Sequence, residues 1–268
     1  MIKFFKIISH IYWKLYWFIK ITIYKRKGSN HIFDVRIDDF KYKLTFGSQP
    51  ITANIVQRIE GRREPETMAI YKSIIHPGMK VLELGACFGE FTVLINYLVG
   101  SKGKLVAIEG TPNIFSILEN NYKINKLKNT EIYNLFISNS KNKVIFNKKD
   151  NHPYNAINKL KQLNEADNIN QVSKLSSDYI EQQNLDLYSF LDKIKFYPDI
   201  IVMDIEGFEV DVIDSLFLNH NIGHRPIILF EVHESAYGEK DLEYMLKLLK
   251  ENNYRYRRIN TNILCYHN

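Results

Sequence analysis

Short apolar runs alternate with segments of helical periodicity through most of the chain. The apolar runs that predict strands lie at residues 80–84, 104–108, 131–137, 199–205 and 226–232. Helical patterns, with apolar positions three or four residues apart, lie at residues 68–75, 91–98 and 113–125, in a stretch ending at Leu218, and at residues 240–252. Such apolar strands, alternating with helices, predict an α/β fold with a mostly parallel sheet and helices on both faces.

A different pattern precedes the first of these strands. Apolar and polar residues alternate from Phe33 to Ile37 and again from Tyr42 to Phe46, with Asp38 and Asp39 between the two runs. Alternation with a polar interruption predicts a β-hairpin. We expect residues 29–63 to form this hairpin extension of one domain that covers residues 29–268.

Composition limits what else the chain can contain. With 268 residues, 45% of them hydrophobic, the chain can bury one substantial core. Residues 139–173 are rich in Asn and Lys and predict a weakly structured insertion. The two cysteines, Cys87 and Cys265, fit neither a disulfide framework nor the spacing of a zinc site, so we expect a reducing, cytoplasmic location and no structural metal.

The positive charge of the chain is concentrated in its first 28 residues. The net charge is +6, and residues 1–28 hold seven basic residues and no acid. The remaining 29 basic and 30 acidic residues leave the body of the chain at −1. Because nonspecific affinity for nucleic acid scales with the phosphates neutralised, a body so nearly neutral predicts no nucleic-acid partner.

Residues 1–28 predict a basic amphipathic helix. At about 100° per residue, one arc of roughly 100° holds most of the basic side chains, and apolar and aromatic side chains cover most of the rest. The residues of this arc are Lys3, Lys6, His10, Lys14 and Lys25. The helix could lie on an anionic membrane, cross it, or pack on the protein. Crossing would place Lys14 near mid-bilayer at a cost of about 2.5–3.5 kcal/mol, so we expect a peripheral location on the inner face of the membrane.

The stretch VLELGACFGEFT, residues 81–92, follows the opening strand of the sheet. Gly85 and Gly89 occupy the strand-to-helix turn, the usual ligand cradle of a parallel sheet. A dinucleotide site would need glycine at Cys87 and a third glycine later, so the turn predicts a ligand without a pyrophosphate. Glu109 ends the next strand, where a carboxylate can accept both hydroxyls of a ribose. Together these features indicate S-adenosylmethionine as the ligand. The alternative is that Gly85 only ends a strand and that Glu109 is a solvated acid without a role in binding.

The chain resembles the FkbM-type S-adenosylmethionine-dependent methyltransferases over most of residues 64–256. The ordered motifs are EPET, GMKVLELGACFGEFT, VAIEGTPNIFSILENNYKIN, KLSSDYI, DIIVMDIEGFEVDVI and PIILFEVHE, of which MDIEGFE followed by EVH is the specific part. The resemblance implies a Rossmann-like class I methyltransferase fold. It also implies that cofactor contacts come from Glu83, Gly85, Ala86, Cys87, Gly89, Thr92, Glu109 and Asp204.

Four positions depart from the pattern of the family. Cys87 stands where Asn is common, Glu83 where Asp is frequent, Gly110 where Pro usually follows the acid, and Val202 where a Lys often precedes the Asp by two. The first three are mild changes around the cofactor. The absence of the lysine beside Asp204 affects how the substrate is bound or how the pKa of a catalytic base is set.

Two later strands each end in a pair of ionisable residues. Asp204 and Glu206 are two apart and so share a strand face, and Glu231 and His233 repeat the spacing. If the strands are neighbours, these groups converge into a candidate catalytic cluster, although a network that only orders the loops is the alternative. Asp204 is the first candidate for contacting an acceptor hydroxyl and His233 the alternative base. Carboxylates and a histidine could also hold Mg²⁺ or Mn²⁺, but we expect no metal.

The acceptor is expected to be a hydroxyl group. No N-P-P-[YFW] signature follows the fourth strand, which disfavours an exocyclic amine. The resemblance suggests hydroxyls of glycans or secondary metabolites, and the N-terminal helix favours a lipid-linked or surface sugar. A catalytically idle scaffold that docks a partner at the membrane, and an RNA methyltransferase that uses the basic tail as an arm, remain alternatives.

Overall fold

A computed structural model describes residues 2–28, 30–138, 144–147, 179–182, 184–217, 225–233 and 239–267. These residues form eight helices and thirteen strands. The helices are α1 (Ile2–Lys25), α2 (Ala53–Ile59), α3 (Pro65–Ile74), α4 (Glu90–Val99), α5 (Pro112–Asn125), α6 (Leu187–Ile194), α7 (Glu209–Phe217) and α8 (Glu239–Glu251). The strands are β1 (Phe33–Ile37), β2 (Phe40–Leu44), β3 (Lys80–Leu84), β4 (Lys104–Ile108), β5 (Thr130–Tyr133), β6 (Phe136–Ile137), β7 (Val144–Asn147), β8 (Tyr179–Gln182), β9 (Asn184–Leu185), β10 (Ile200–Met203), β11 (Ile227–Glu231), β12 (Arg255–Ile259) and β13 (Asn262–Tyr266).

Seven strands form one sheet in the order β12–β13–β11–β10–β3–β4–β5. The five strands from β11 to β5 are parallel, and β13 runs antiparallel to both of its neighbours. The direction of chain progression reverses between β3 and β10, and a ligand-binding crevice is expected at such a switch point. The predicted α/β fold, mostly parallel and Rossmann-like, is confirmed.

The sheet separates two apolar cores. One face presents residues such as Val81 and Val202 to α2, α3, α4, α5 and the β1–β2 hairpin. The other presents residues such as Leu82 and Phe230 to α6, α7 and α8. Because the central strands are buried on both faces, they consist almost entirely of apolar residues.

The predicted hairpin forms, and two side-chain amides of α5 extend it. β1 and β2 pair with Phe33 opposite Leu44. The side chain of Asn121 accepts a hydrogen bond from Thr45 N and donates to Thr45 O and Phe88 O, at 2.8–2.9 Å. One turn later, Asn125 bonds the N–H and C=O of Lys43 in the same way. The amides therefore fasten the hairpin, and also the turn before α4, to α5.

The C-terminal half of α1 packs on the hairpin side of the domain. Trp17, Ile21 and Tyr24 lie against the first core, and Lys20 Nζ is 2.6 Å from Glu60 Oε1. None of the described helices has both the length and the apolar character needed to cross a membrane.

Several elements are absent from the sequence prediction. Helices α2 and α6 have only seven and eight residues, too few for a periodic pattern to stand out. The run predicted as one strand over residues 131–137 divides into β5 and β6, which belong to different sheets. The terminal hairpin β12–β13 begins with the largely exposed segment RYRRI, which lacks the apolar alternation of a strand. The predicted insertion at residues 139–173 lies, apart from β7, outside the described residues.

Replacing Asn121 should test the fastening of the hairpin. Asn121→Ala would leave buried backbone groups of Thr45 and Phe88 unpaired, so the free energy of unfolding should fall by about 2–4 kcal/mol. The matched change Asn125→Ala removes the same kind of pairing in a solvent-exposed setting and should cost about 0.5–1 kcal/mol. Urea denaturation of both variants measures the difference, and equal losses would contradict this account.

Candidate active site

The register of the central strands aligns their ends along one edge of the sheet. Leu84 pairs with Ile108 on one side and with Met203 on the other, and Met203 pairs with Phe230. The next residues along the four strands are Gly85, Glu109, Asp204 and Glu231. The residues selected from the sequence as strand-end groups therefore stand side by side.

Gly85 lies where two backbones come into contact. Its φ is +86°, and a Cβ atom there would be 2.0 Å from the carbonyl oxygen of Asp204. The second glycine, Gly89, has φ +90°, and its Cβ would be 2.7 Å from Leu118 Cδ1. The space that these glycines leave free is thus filled by the protein itself. The strand approach and the turn require the glycines, whatever ligand the turn holds.

Glu109 fastens the glycine turn to the neighbouring strand end. Its Oε2 accepts a hydrogen bond from Cys87 N at 2.9 Å, and its Oε1 accepts one from Thr111 N at 2.7 Å. Burial raises the pKa of Glu109, and the two N–H donors oppose the shift. Each carboxylate oxygen retains a second lone pair, so the side chain could still accept a ligand hydroxyl.

Two further predicted cofactor residues meet beneath the turn. Glu83 is buried in β3 and accepts a hydrogen bond from Thr92 Oγ1 at 2.7 Å. Burial raises the pKa of Glu83 to about 8, against the lowering effect of this bond. At Cys87, where φ is +50°, burial raises the pKa of the thiol to about 11, so the group is a neutral thiol at pH 7.

The predicted catalytic residues come together. His233 Nε2 lies 2.9 Å from Asp204 Oδ1, and His233 Nδ1 lies 3.6 Å from Glu206 Oε2. Burial alone would lower the pKa of His233, but the bond to Asp204 and the charges of Asp204, Glu206 and Glu231 outweigh it and raise the pKa to about 9. The imidazole is therefore protonated at neutral pH and partly offsets the acids around it.

Two acids of the cluster, Glu206 and Glu231, resist ionisation. Burial raises the pKa of Glu206 to about 7, with His233 opposing and Asp204 adding to the shift. The pKa of Glu231 is raised by burial and then by the charges of Asp204 and Glu64. Carboxyl groups at this density favour a cationic or proton-donating ligand.

A buried acid at the start of α7 shapes the loop that carries Glu206. Glu209 is fully buried, and its two oxygens accept hydrogen bonds from Ile205 N and Gly207 N at 2.9 and 2.8 Å. These bonds hold Glu206 in a left-handed conformation with φ +55°. Glu209 is not among the site residues predicted from the sequence.

A further part of the cavity lining comes from α2, the start of α3 and the residues between them, which contributed no predicted site residue. An open cavity of about 1140 Å³, a volume that includes its solvent-filled mouth, lies at the sheet edge. Arg58, Arg63, Glu64 and Thr67 line it together with the strand ends. Arg58 forms a buried ion pair with Glu90, which also lines the cavity. The proline after Glu64, at the first position of α3, was the available signal that a helix begins there.

Most of the predicted site residues reach the cavity. Those in its lining are Glu83, Gly85, Ala86, Cys87, Glu109, Asp204, Glu206 and Glu231. Gly89, Thr92 and His233 are not part of this lining: Gly89 caps α4, Thr92 bonds Glu83, and His233 bonds Asp204.

Two overlapping groups in the described part of the chain could hold a metal ion. They are Asp204, Glu206 and His233, and Glu64, Asp204 and Glu231, with donor atoms within 4.8 Å of one another in each group. The expectation that the site uses no metal stays a prediction.

Gly85 offers a test of the strand approach. Gly85→Ala adds both a positive-φ penalty and a clash with Asp204 O, so it should lower the free energy of unfolding by about 3 kcal/mol or more. Gly78 has a similar φ of +92° and no atom within 4 Å of its Cβ position, so Gly78→Ala should cost only about 1 kcal/mol. Denaturation midpoints compare the two variants, and similar losses would show that the close approach is not limiting.

The protonation of His233 offers a second test. Its folded pKa of about 9 exceeds the ordinary 6.5, so its stabilising effect is complete below about pH 6.5 and is lost as the pH rises through 9. An NMR titration of the imidazole should give a midpoint near 9, and Asp204→Asn should lower it by about one unit or more. The surface change Asp192→Asn should leave the midpoint unchanged. A wild-type midpoint near 6.5 would contradict the charged pair.

Comparison with known proteins places the chain in a family. The family model described as a methyltransferase FkbM domain matches residues 83–256. No curated protein is significantly similar in sequence.

Several solved structures resemble the fold at a distance. Fibrillarin from Aeropyrum pernix, solved with natively bound S-adenosylmethionine, is 11% identical with a TM-score of 0.46, over 89% of this chain and 83% of that one. A precorrin-6y C5,15-methyltransferase from Geobacter metallireducens is 12% identical with a TM-score of 0.41, over 75% and 86%. These likenesses are too distant to bear on the acceptor. Because the matched domain covers more than half of the chain, the protein belongs to the FkbM methyltransferases and uses S-adenosylmethionine as its cofactor.

Proposed function

We propose that the protein transfers a methyl group from S-adenosylmethionine to a hydroxyl group of a glycan, a lipid-linked sugar or a secondary metabolite. The observation that carries this proposal is the position of Asp204. Its carboxylate lines the cavity directly beside the glycine turn and is hydrogen-bonded to a protonated His233. A carboxylate so placed can receive the proton of an acceptor hydroxyl.

The lining of the cavity fits the parts of the cofactor. Glu109 can accept hydroxyls of the ribose. Beyond it, Leu135, Phe136 and Ile137 provide an apolar wall suited to a purine. Arg63, which lines the same cavity and is paired with Glu64, suits the carboxylate of the methionine moiety, and the acids near Gly85 suit its positive charges.

The residues divide the chemical work between positioning and proton transfer. When bound, the cofactor supplies an electrophilic methyl group. Asp204 orients the acceptor hydroxyl and takes its proton, while His233 holds the Asp204 carboxylate through Nε2. Because His233 is protonated at neutral pH, it cannot accept a proton in that state. This favours Asp204 as the base over His233, the alternative left open by the sequence. The cavity walls align the acceptor with the methyl group, and this alignment contributes more to the rate acceleration than proton transfer to the base does.

The observations favour a hydroxyl over other acceptors. A neutral amine brings its own nucleophilic lone pair and gains little from a base, whereas a hydroxyl gains about 10²- to 10⁴-fold. Sugars are rich in hydroxyl groups, and the polar rim formed by Glu64, Glu206 and Glu231 can bind several of them.

Two variants separate cofactor binding from methyl transfer. Calorimetric titration with S-adenosylhomocysteine should show micromolar binding by the wild type and at least about tenfold weaker binding by Glu109→Gln, which loses charge at the ribose site. Asp204→Asn should keep binding within a few-fold. Its transfer of labelled methyl groups to lipid and polysaccharide fractions should fall by roughly 10²- to 10⁴-fold.

Controls make the result specific. Glu131→Gln removes an acid from the adjoining strand β5, outside the cavity, and should change neither binding nor transfer. The product should contain an O-methyl sugar or another methyl ether after hydrolysis. Label that enters RNA or an amine, or full activity in Asp204→Asn, would overturn the proposal.

A further inference from the structure

The two faces of α1 have different surroundings. On one face, Trp17, Ile21 and Tyr24 pack on the core of the domain. On the same side, Lys20 pairs with Glu60, and Arg62 Nη2 donates to Tyr16 Oη at 2.8 Å. These contacts hold the second half of α1 against α2 and the segment that follows it.

The opposite face of α1 is apolar and exposed. Leu15, Phe18, Ile19 and Ile23 follow helical spacing on one side of the helix and are 54%, 69%, 47% and 48% exposed. Tyr12 and Trp13, one turn earlier, are also exposed. A contiguous apolar strip of this kind on a folded surface marks an interaction site.

The charge around this strip selects its partner. Lys14 and Lys25 are exposed at its edge, and α1 has no acidic residue. A second copy of the chain would bring Lys14 and Lys25 of the two copies together, which disfavours a dimer through this surface. RNA would stack on aromatic rings, but the strip is mostly aliphatic. A bilayer with anionic headgroups satisfies both the apolar strip and the basic edge.

We propose that α1 lies on the surface of an anionic membrane, with Leu15, Phe18, Ile19 and Ile23 inserted at the headgroup boundary. The helix is bonded to Arg62, and the next two residues, Arg63 and Glu64, line the cavity. Docking therefore brings the wall of the active site close to the lipid surface. This inference rests on the proposed methyl transfer, and it narrows the acceptor to a lipid-linked hydroxyl compound.

Vesicle flotation of the full chain tests the docking. The wild type should float with vesicles of phosphatidylcholine mixed with phosphatidylglycerol and not with phosphatidylcholine alone, and salt should weaken binding. Lys14→Gln and Lys25→Gln should each weaken it by about fivefold. Phe18→Ser should weaken it by about tenfold or more. Tyr197, half exposed on another surface, provides the matched control Tyr197→Ser, which should float like the wild type.

Binding of S-adenosylhomocysteine by the same samples separates the two proposals. Cofactor binding without flotation would overturn membrane docking and leave methyl transfer supported. Flotation without cofactor binding would support docking and overturn the proposed function. A dimer that Phe18→Ser dissociates would overturn docking in favour of a second copy, and salt-sensitive RNA binding lost in the lysine variants would overturn it in favour of nucleic acid.

Discussion

The candidate active site depends on the close approach of β3 and β10 at the edge of the sheet. Asp204 N donates to Leu84 O, which continues the pairing one residue past the strands and brings the Asp204 carbonyl against Gly85. A side chain at position 85 would push the two backbones apart. Because Glu109 then binds the N–H of Cys87 in the same turn, three strand ends form one hydrogen-bonded unit. The position of the Asp204 carboxylate is a consequence of backbone packing.

The sequence was sufficient for the parts of the molecule governed by local pattern. The strands Lys80–Leu84 and Lys104–Ile108 have the predicted boundaries, because buried parallel strands are continuous apolar runs. Glu109 and Asp204 could be singled out because each directly follows such a run. The same logic assigned the glycines to ligand contact. The structure shows that the absence of their side chains makes room for other parts of the chain, and Gly85 also lines the cavity, so their contact with a ligand stays a prediction.

The part of the cavity lining that comes from α2, α3 and α4 could not be predicted in this way. Arg58 and Glu90 form their buried pair across 32 positions, and nothing in the spacing of two charged residues reveals such a contact. Arg63 and Glu64 stand in a dense run of charges that has the composition of an exposed loop. Their place in the site follows from the packing of α2 and α3 on the sheet, a tertiary effect. For α1, periodicity identified the basic arc, but only the structure shows which face the domain covers.

The acidic lining also makes ligand binding in the cavity depend on pH. Burial leaves Glu83 with a pKa of about 8 and Glu206 with one of about 7, so both carry protons over part of the neutral range. A positively charged ligand favours their ionised forms, and protons must leave as it enters. A ligand with a positive charge beside these acids therefore binds more tightly as the pH rises across this range, whereas the affinity for a ligand without such a charge changes less. The two buried acids thus link the charge of a bound ligand to the protonation state of the cavity.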